Sequence, residues 1–239
     1  MPTNQKRSSS ARRRPTAGAS QTQFFDTGTG TPMGPNRPLP TNWAPKIVQY
    51  YRLGLLFSQP QPPQTLPSLS FRFTPGCGYR LINSDSDFDT FIAQAKLGQP
   101  NVTPFKVVER GPHFTIFNQG YVVIQLELYN WRFLSAHPAI TIGTNHTPNG
   151  AALAYFLLTH IDDQGVPSTG SSPPSSTGRS CRLIHFGVDP RPKSSTDPSM
   201  DIDRFNLYFD LDQGFGDVLP LILDPDIKND GGSDPLRDI

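Results

Sequence analysis

Charge is scarce in this chain of 239 residues, because charged side chains make up 17% of it, against about a quarter in an ordinary globular protein. Its two cysteines, Cys77 and Cys181, share no motif, so the sequence favours reduced thiols and leaves a disulfide between them open. No apolar run approaches the length of a membrane-spanning helix, and the opening MPTNQKRSSS lacks the apolar core of a signal peptide. We therefore expect a soluble protein that makes no membrane contact and is not secreted by the usual route.

Known catalytic motifs are missing as well. The sequence contains no nucleophile elbow of the Gly-x-Ser-x-Gly type, no P-loop, no dinucleotide fingerprint and no His-Glu-x-x-His zinc motif. The five histidines share no ligand spacing that would build a zinc site with the two cysteines. These absences predict a protein that is not an enzyme and that holds no cofactor. A β-rich hydrolase with a site assembled from distant residues is the weakest of the alternatives.

Two pairs of residues resemble parts of catalytic patterns. His113 and Thr115 form a His-x-Thr pair on a strand, which is similar to one of the two such pairs in two-histidine phosphoesterases, but the second pair is missing. His160 and Asp162 could be two members of a catalytic triad, yet no activated nucleophile accompanies them. We interpret both pairs as ordinary strand ends.

An acidic segment, Asp85-Ser-Asp-Phe-Asp89, begins like a calcium-binding loop. It lacks the glycine at the sixth position and the acid at the twelfth, where Lys96 stands. The charged first turn of a helix explains it better, because carboxylates there complement the helix dipole. We predict no metal here, and calcium held between subunits stays an open alternative.

Proline and glycine, by contrast, are abundant, with 26 and 20 residues, which is typical of short strands joined by irregular loops. The most regular stretch runs from Lys106 to Leu134. Residues 122–129 alternate between apolar and polar side chains, as a strand with one buried face does. Residues 118–120 form a turn after a strand at 114–117, so the stretch predicts a β-hairpin. Its polar face, with Gln125, Glu127 and Tyr129, carries no reactive group and is interpreted as scaffold.

About eight strands are predicted in all, and the others fall at 46–57, 69–73, 139–142, 151–161, 182–188 and 205–211, with a further short run at 218–223. A helix is predicted at 85–97, because Phe88, Phe91, Ile92 and Ala95 share one face. Ser86 with Asp89 is a candidate capping box, and Gly98 a candidate C-terminal cap. These elements predict an all-β fold, an eight-stranded antiparallel jelly-roll β-sandwich with one short inserted helix and disordered termini.

The N-terminal segment is basic and has almost no apolar periodicity. Residues 1–20 carry a charge of +5 and no acid, whereas the rest of the chain has a balance of −4. Such a segment cannot bury enough surface to offset its ordering entropy. Its cations can pair with phosphates without reading sequence, so a nucleic-acid contact is predicted for Lys6, Arg7, Arg12, Arg13 and Arg14. A solvated tail and a nuclear-import signal are the alternatives.

A disordered Arg/Ser/Pro arm followed by a proline-rich β domain of about eight strands resembles the capsid proteins of small icosahedral viruses. The resemblance implies three parts, a basic arm at 1–40, a jelly-roll shell domain at 41–223 and an acidic C-terminal tail at 224–239. It also implies a structural protein that assembles from many copies of itself and packages the viral genome, single-stranded RNA, through its arm. The expected locations are the virion and the host cytoplasm. A non-enzymatic viral accessory protein of the movement or silencing type is the alternative.

Overall fold

The computed structural model describes residues 38–58, 68–98, 100–104, 114–127, 131–133, 139–143, 153–169, 181–190, 202–214, 217–223 and 226–229. Most of these residues lie in β-strands, with one helix among them, so the coarse prediction of a mostly β chain with an inserted helix is confirmed. Within these ranges no helix is long and apolar enough to cross a membrane.

The first sheet lies on the side of the molecule that carries the helix. Its strands are β1 (Ile47–Ser58), β2 (Ser68–Phe73), β3 (Gly78–Leu81), β4 (Thr103–Pro104), β6 (Gly120–Leu126), β9 (Leu153–Asp162), β10 (Pro167–Thr169) and β11 (Cys181–Pro190). Hydrogen-bonded neighbours follow the order β10-β9-β11-β6-β1-β3-β4, and β2 also pairs with β1. β6 is therefore an interior strand.

The second sheet is arranged around one long strand. Its strands are β5 (Phe114–Ile116), β7 (Trp131–Phe133), β8 (Ile140–Gly143), β12 (Ile202–Gly214), β13 (Asp217–Leu223) and β14 (Asp226–Asn229). β12 pairs with β7, β8, β13 and β14, and β14 pairs in turn with β5.

The prediction of a purely antiparallel arrangement is wrong for two strand pairs. β1 runs parallel to β6, in register from Ile47 opposite Gly120 to Leu53 opposite Leu126, and β14 runs parallel to β5. The described part of the chain also divides into fourteen strands rather than about eight. Alternation along a strand reports which face is buried, but it carries no information on the direction of the neighbouring strand.

The predicted central hairpin is wrong as well. β5 and β6 are joined by a short turn, yet they belong to different sheets. Every residue of β6 is buried, whereas a hairpin strand with one wet face would alternate in exposure. The chain crosses from one layer to the other at residues 117–119, which a sequence pattern cannot distinguish from a tight hairpin turn.

Two apolar clusters explain why β6 is buried on both faces. One cluster lies between the sheets and includes Val122, Ile124 and Leu126 of β6 together with Phe205 and Phe209 of β12. The other lies between the first sheet and the helix. Its members include Val48, Tyr50, Tyr121 and Val123 from strands and Phe88, Phe91, Ile92 and Ala95 from the helix.

The helix, α1 (Asp85–Lys96), presents the face that its apolar spacing predicts. Its N-cap is Ser84, two residues before the Ser86 expected, and the Ser84 side chain accepts a hydrogen bond from the amide of Asp87. The helix stops at Leu97, and Gly98 follows with φ of +73°, a left-handed conformation that favours glycine. The C-terminal end of α1 is thereby fixed over the sheet.

Two histidines on neighbouring strands have lowered pKa values. His160 on β9 is fully buried. Burial lowers its pKa to about 4, although the backbone of Ser168 acts in the opposite direction. Burial also lowers the pKa of His185 to about 3, helped by His160, and its Nδ1 is enclosed although other parts of the residue reach solvent.

We therefore predict that acid destabilises the protein through His160. The unfolded chain takes up a proton near pH 6.5 and the folded chain only near pH 4, so stability that is complete above pH 6.5 is lost as the pH falls towards 4. The loss from this residue is roughly 2 kcal/mol at pH 5. Urea unfolding of the wild type and of His160→Leu between pH 7.5 and pH 4.5 measures it. The variant should show a shallower pH dependence, and equal slopes would contradict the prediction.

Candidate functional site

A two-lobed cleft opens beside the C-terminal end of α1, on the helix side of the first sheet. Four residues line both lobes and form the waist between them: Lys96, Leu97, Gln125 and Arg182. Lys96 and Leu97 come from the helix end, Gln125 from β6 and Arg182 from β11. The waist therefore exists only because the helix ends above two neighbouring interior strands.

The first lobe, called the turn lobe, lies under the turn that joins β9 to β10. It has a volume of about 290 Å³, and the lining residues that it does not share are Ile161, Asp162, Asp163, Gln164, Gly165 and Leu183. The second lobe, called the strand lobe, has a volume of about 420 Å³ and adds Arg52, Gly98, Leu126 and Glu127. These volumes are at the lower end of the range found for small-molecule sites.

The turn that closes the first lobe is built around one carboxylate. Asp162 Oδ1 accepts hydrogen bonds from the amides of Gln164 at 3.0 Å and Val166 at 2.8 Å. Gly165 has φ of +80°, and Lys96 Nζ donates to its carbonyl at 2.9 Å. The Asp162 carboxylate thus shapes the turn, and Lys96 ties the turn to the helix end.

Two of the three cations in the cleft face carboxylates at long distances. Arg182 Nε lies 3.5 Å from Asp163 Oδ1, and Arg52 Nη2 lies 3.6 Å from Glu127 Oε1. Both distances exceed those of good hydrogen bonds, and all four side chains are partly exposed, between 21% and 45%. Pairs of this kind contribute roughly 0–1 kcal/mol, so neither ion pair by itself adds much to stability.

Gln125 forms the buried floor of the waist and is only 8% exposed. Its Nε2 donates to the carbonyl of Ala95 at 3.0 Å, and its Oε1 accepts from the hydroxyl of Tyr50. Burial raises the pKa of Tyr50 well above its ordinary value, despite the opposing effect of Arg52, so the phenol stays protonated and donates. Arg52 on β1 and Leu183 on β11 stand directly opposite Gln125 in the two flanking strands.

Neither cysteine supplies a nucleophile to this cleft. Cys77 and Cys181 are free and buried, and neither lines a lobe. Burial raises the pKa of Cys77 to about 11 and that of Cys181 to about 12, so both remain thiols at neutral pH. What the cleft offers to a ligand is charge and hydrogen bonding.

Of the catalytic, metal and nucleic-acid candidates singled out from sequence alone, Asp162 lines the turn lobe, and the others lie elsewhere in the fold or outside the described residues. Lys6, Arg7, Arg12, Arg13, Arg14 and His113 belong to the latter group, and the nucleic-acid contact stays a prediction. His160 is enclosed in the core, and the carboxylate of its proposed partner Asp162 holds a turn.

The acidic segment at 85–89 is the first turn of α1. Among the ranges that the structure covers, no three His, Cys, Asp or Glu side chains are placed to share a metal ion.

The sequence does not reveal the cleft, because its residues come from distant segments. Gln125 and Glu127, which the sequence predicts to be scaffold, form the floor and one wall of the cleft. One signal could have marked Gln125, since an amide inside an otherwise apolar and wholly buried strand needs hydrogen-bond partners. Nothing in the sequence indicates that Lys96 and Arg182, 86 positions apart, meet at one waist.

We predict that the amide of Gln125 is required to hold the waist together. Gln125→Leu should lower the free energy of unfolding by about 1–3 kcal/mol, because it leaves the buried Tyr50 hydroxyl without its acceptor, whereas the Ala95 carbonyl keeps the amide of Gly98. The double variant Tyr50→Phe/Gln125→Leu should recover part of the loss, because the orphaned hydroxyl is removed. Urea unfolding measures both, and a double variant no more stable than Gln125→Leu would contradict the assignment.

A family model matches more than half of the chain. No curated protein matches the chain. A family model, pNTSase1, with the description "Predicted novel nucleotide synthetase", matches residues 82–232. This segment includes α1, β6, the β9–β10 turn and β11, and therefore every residue that lines the cleft except Arg52.

This match overturns the functional interpretation drawn from sequence organisation. The predicted resemblance to viral capsid proteins is wrong, and so are the structural, non-enzymatic role and the description as a virion component. The movement or silencing alternative is not supported. A basic arm before a β-rich domain is shared by unrelated proteins, so it is a poor guide to function, whereas the family model follows the residues over more than half of the chain. The chain belongs to the pNTSase1 family, the predicted novel nucleotide synthetases.

Proposed function

We propose that the protein is an enzyme that binds a nucleotide through its phosphates at the waist of the cleft, as a nucleotide synthetase must. One observation carries the proposal. Three cations from three separate elements, Arg52, Lys96 and Arg182, line one connected cleft, and two of them lie inside the segment that the family model matches. The family match contradicts the expectation that the chain is not an enzyme.

Side chains, rather than a glycine-rich loop, would hold the phosphates here. An arginine can bind two phosphate oxygens with its planar guanidinium, and a lysine supplies a compact charge. Arg182 and Lys96 line both lobes, so a phosphate at the waist reaches both from either side. This arrangement requires no P-loop, and it explains how the sequence lacks one.

The C-terminal end of the helix, beneath the proposed phosphate position, has part of its negative charge offset. The C-terminal end of a helix carries partial negative charge, which would repel phosphate. Here the carbonyl of Ala95 accepts hydrogen bonds from the amide of Gly98 at 2.8 Å and from Gln125 Nε2, and the carbonyl of Gln94 accepts from the amide of Leu97. These donors, with the charge of Lys96, offset the negative end of the helix.

An apolar surface for the nucleoside lies next to the cations. Leu97 is 80% exposed and lines both lobes. A large apolar side chain left so open is unfavourable in the free protein and becomes useful when a planar base covers it. The nucleotide therefore places its phosphates on Lys96 and Arg182 and its base against Leu97.

The finer fold assignment, an eight-stranded jelly roll, belongs to the proposal as well. Its support is that two sheets contribute to one apolar cluster and that the helix follows the early strands. The parallel pairs β1/β6 and β5/β14 are departures from it. A contact of the arm residues Lys6, Arg7, Arg12, Arg13 and Arg14 with nucleic acid is a separate proposal, based on their local charge of +5.

We predict that ATP, used as the probe, binds the full chain through Lys96 and Arg182. Hydrogen bonds to charged groups contribute about 1.5–3 kcal/mol, so Lys96→Gln and Arg182→Gln should each weaken binding about tenfold or more in isothermal titration calorimetry. Arg80→Gln is the matched control, because Arg80 bonds to Gln94 at 2.9 Å and lines neither lobe. ATP affinity that is unchanged in both cleft variants, or no binding by the wild type, would contradict the proposal.

A second prediction concerns the carboxylate that the phosphate replaces. Asp163 is the partner of Arg182 and is 45% exposed, so it can turn away into solvent. Asp163→Asn removes that competitor and also a negative charge, and it should tighten ATP binding by up to about fivefold, as expected for an exposed ion pair. Titration of Asp163→Asn beside the wild type at low salt measures the effect, and weaker binding would show that Asp163 assists the ligand instead.

A further inference from the structure

We propose that the strand lobe is the site of a second substrate, a small zwitterion that carries an ammonium and a carboxylate, as an α-amino acid does. The inference rests on the proposed function, because a synthetase joins two molecules and the nucleotide accounts for only one of them. The strand lobe has walls of its own, formed by Arg52, Gly98, Leu126 and Glu127, and meets the turn lobe at the waist.

The first observation is a pair of opposite charges facing one lobe. Arg52 Nη2 and Glu127 Oε1 are 3.6 Å apart, and the two side chains are 29% and 30% exposed. They come from neighbouring parallel strands, since Arg52 is on β1 and Glu127 follows the last residue of β6. The amide of Glu127 donates to the carbonyl of Leu53 at 2.9 Å, so the backbone holds the two side by side.

The second observation is that β1 leaves room for this carboxylate. A Cβ at Gly54 would overlap the carboxylate of Glu127 and the methyl group of Thr74. Any other residue at position 54 would therefore require the flexible end of the Glu127 side chain and the Thr74 methyl group to shift. The glycine thus leaves the space beside Arg52 in which this carboxylate lies.

Such a pair selects ligands by their charge pattern. A simple anion beside Arg52 also faces Glu127, although Lys96 and Arg182 attract it, and a simple cation beside Glu127 is repelled by all three cations of the lobe. A zwitterion satisfies both when its carboxylate lies on the guanidinium and its ammonium on the carboxylate. Charge-assisted hydrogen bonds of this kind are stronger than neutral ones.

The rest of the lobe limits the size and polarity of the ligand. Leu97 and Leu126 give apolar walls, and Gly98 adds no side chain. These walls suit a small apolar substituent, such as the methyl group of alanine. Because Lys96 and Arg182 line this lobe too, the carboxylate of the zwitterion lies close to the phosphates of a nucleotide at the waist, which is the proximity that a joining reaction needs.

The test compares three ligands on the wild-type full chain by isothermal titration calorimetry: L-alanine, propionate and ethylamine. We expect L-alanine to bind at least tenfold more tightly than either singly charged compound. Because this comparison uses only the wild-type protein, it does not depend on whether a substituted variant folds. Propionate or ethylamine binding as tightly as L-alanine would overturn the charge-matching argument.

Variants then locate the site. Arg52→Gln and Glu127→Gln should each weaken L-alanine binding at least tenfold, and Glu127→Gln should also improve propionate binding relative to L-alanine. Arg80→Gln is again the matched control and should leave L-alanine binding unchanged. Circular dichroism checks that each variant is folded, and folded variants of both cleft residues with unchanged L-alanine affinity would overturn the assignment.

A parallel ATP titration separates this inference from the proposed function. If ATP binds and L-alanine does not, the zwitterion site is wrong and the nucleotide site stands. If L-alanine binds selectively and ATP does not, the strand lobe is a zwitterion site and the nucleotide proposal fails. Binding of neither ligand overturns both.

Discussion

The structure depends on the burial of β6 on both faces. Val122, Ile124 and Leu126 pack towards the second sheet, and Tyr121 and Val123 pack under α1. A strand in this position must satisfy its backbone through neighbours on both sides, which β1 and β11 provide. The helix is therefore packed against the sheet in a fixed position, and the residue at which it ends determines where the cleft begins.

The position of the cleft follows from the end of α1. Within the described ranges the two lobes open beside Leu97, and polar side chains of β6, β1 and β11 line them. Gln125 lies at the boundary, and its amide joins the strand to the last turn of the helix through Ala95. Because the groups come from rigid elements rather than from long loops, the cations keep a defined spacing, which favours a preformed site.

Sequence reasoning succeeded where the relevant physics is local. The helix at 85–96 follows from apolar spacing, since Phe88, Phe91, Ile92 and Ala95 are buried as their positions require. The strand at 205–211 follows from alternation, since Phe205, Leu207, Phe209 and Leu211 are all in the core. It failed where the physics is non-local. The parallel partner of β1 and the separation of β5 from β6 depend on contacts between segments far apart in the chain.

The candidate site shows the same limit more sharply. Arg52, Lys96, Glu127 and Arg182 stand in four different segments, and each alone is an unremarkable surface charge. Their contacts in the folded chain distinguish them. The two arginines face carboxylates at distances too long for strong hydrogen bonds, and the lysine is hydrogen-bonded to a turn. Ion pairs at such distances contribute little to stability, so no unusually strong interaction marks the cleft. The absence of a catalytic motif therefore says little about whether this chain is an enzyme, because a site made of side chains from separate segments leaves no continuous signature.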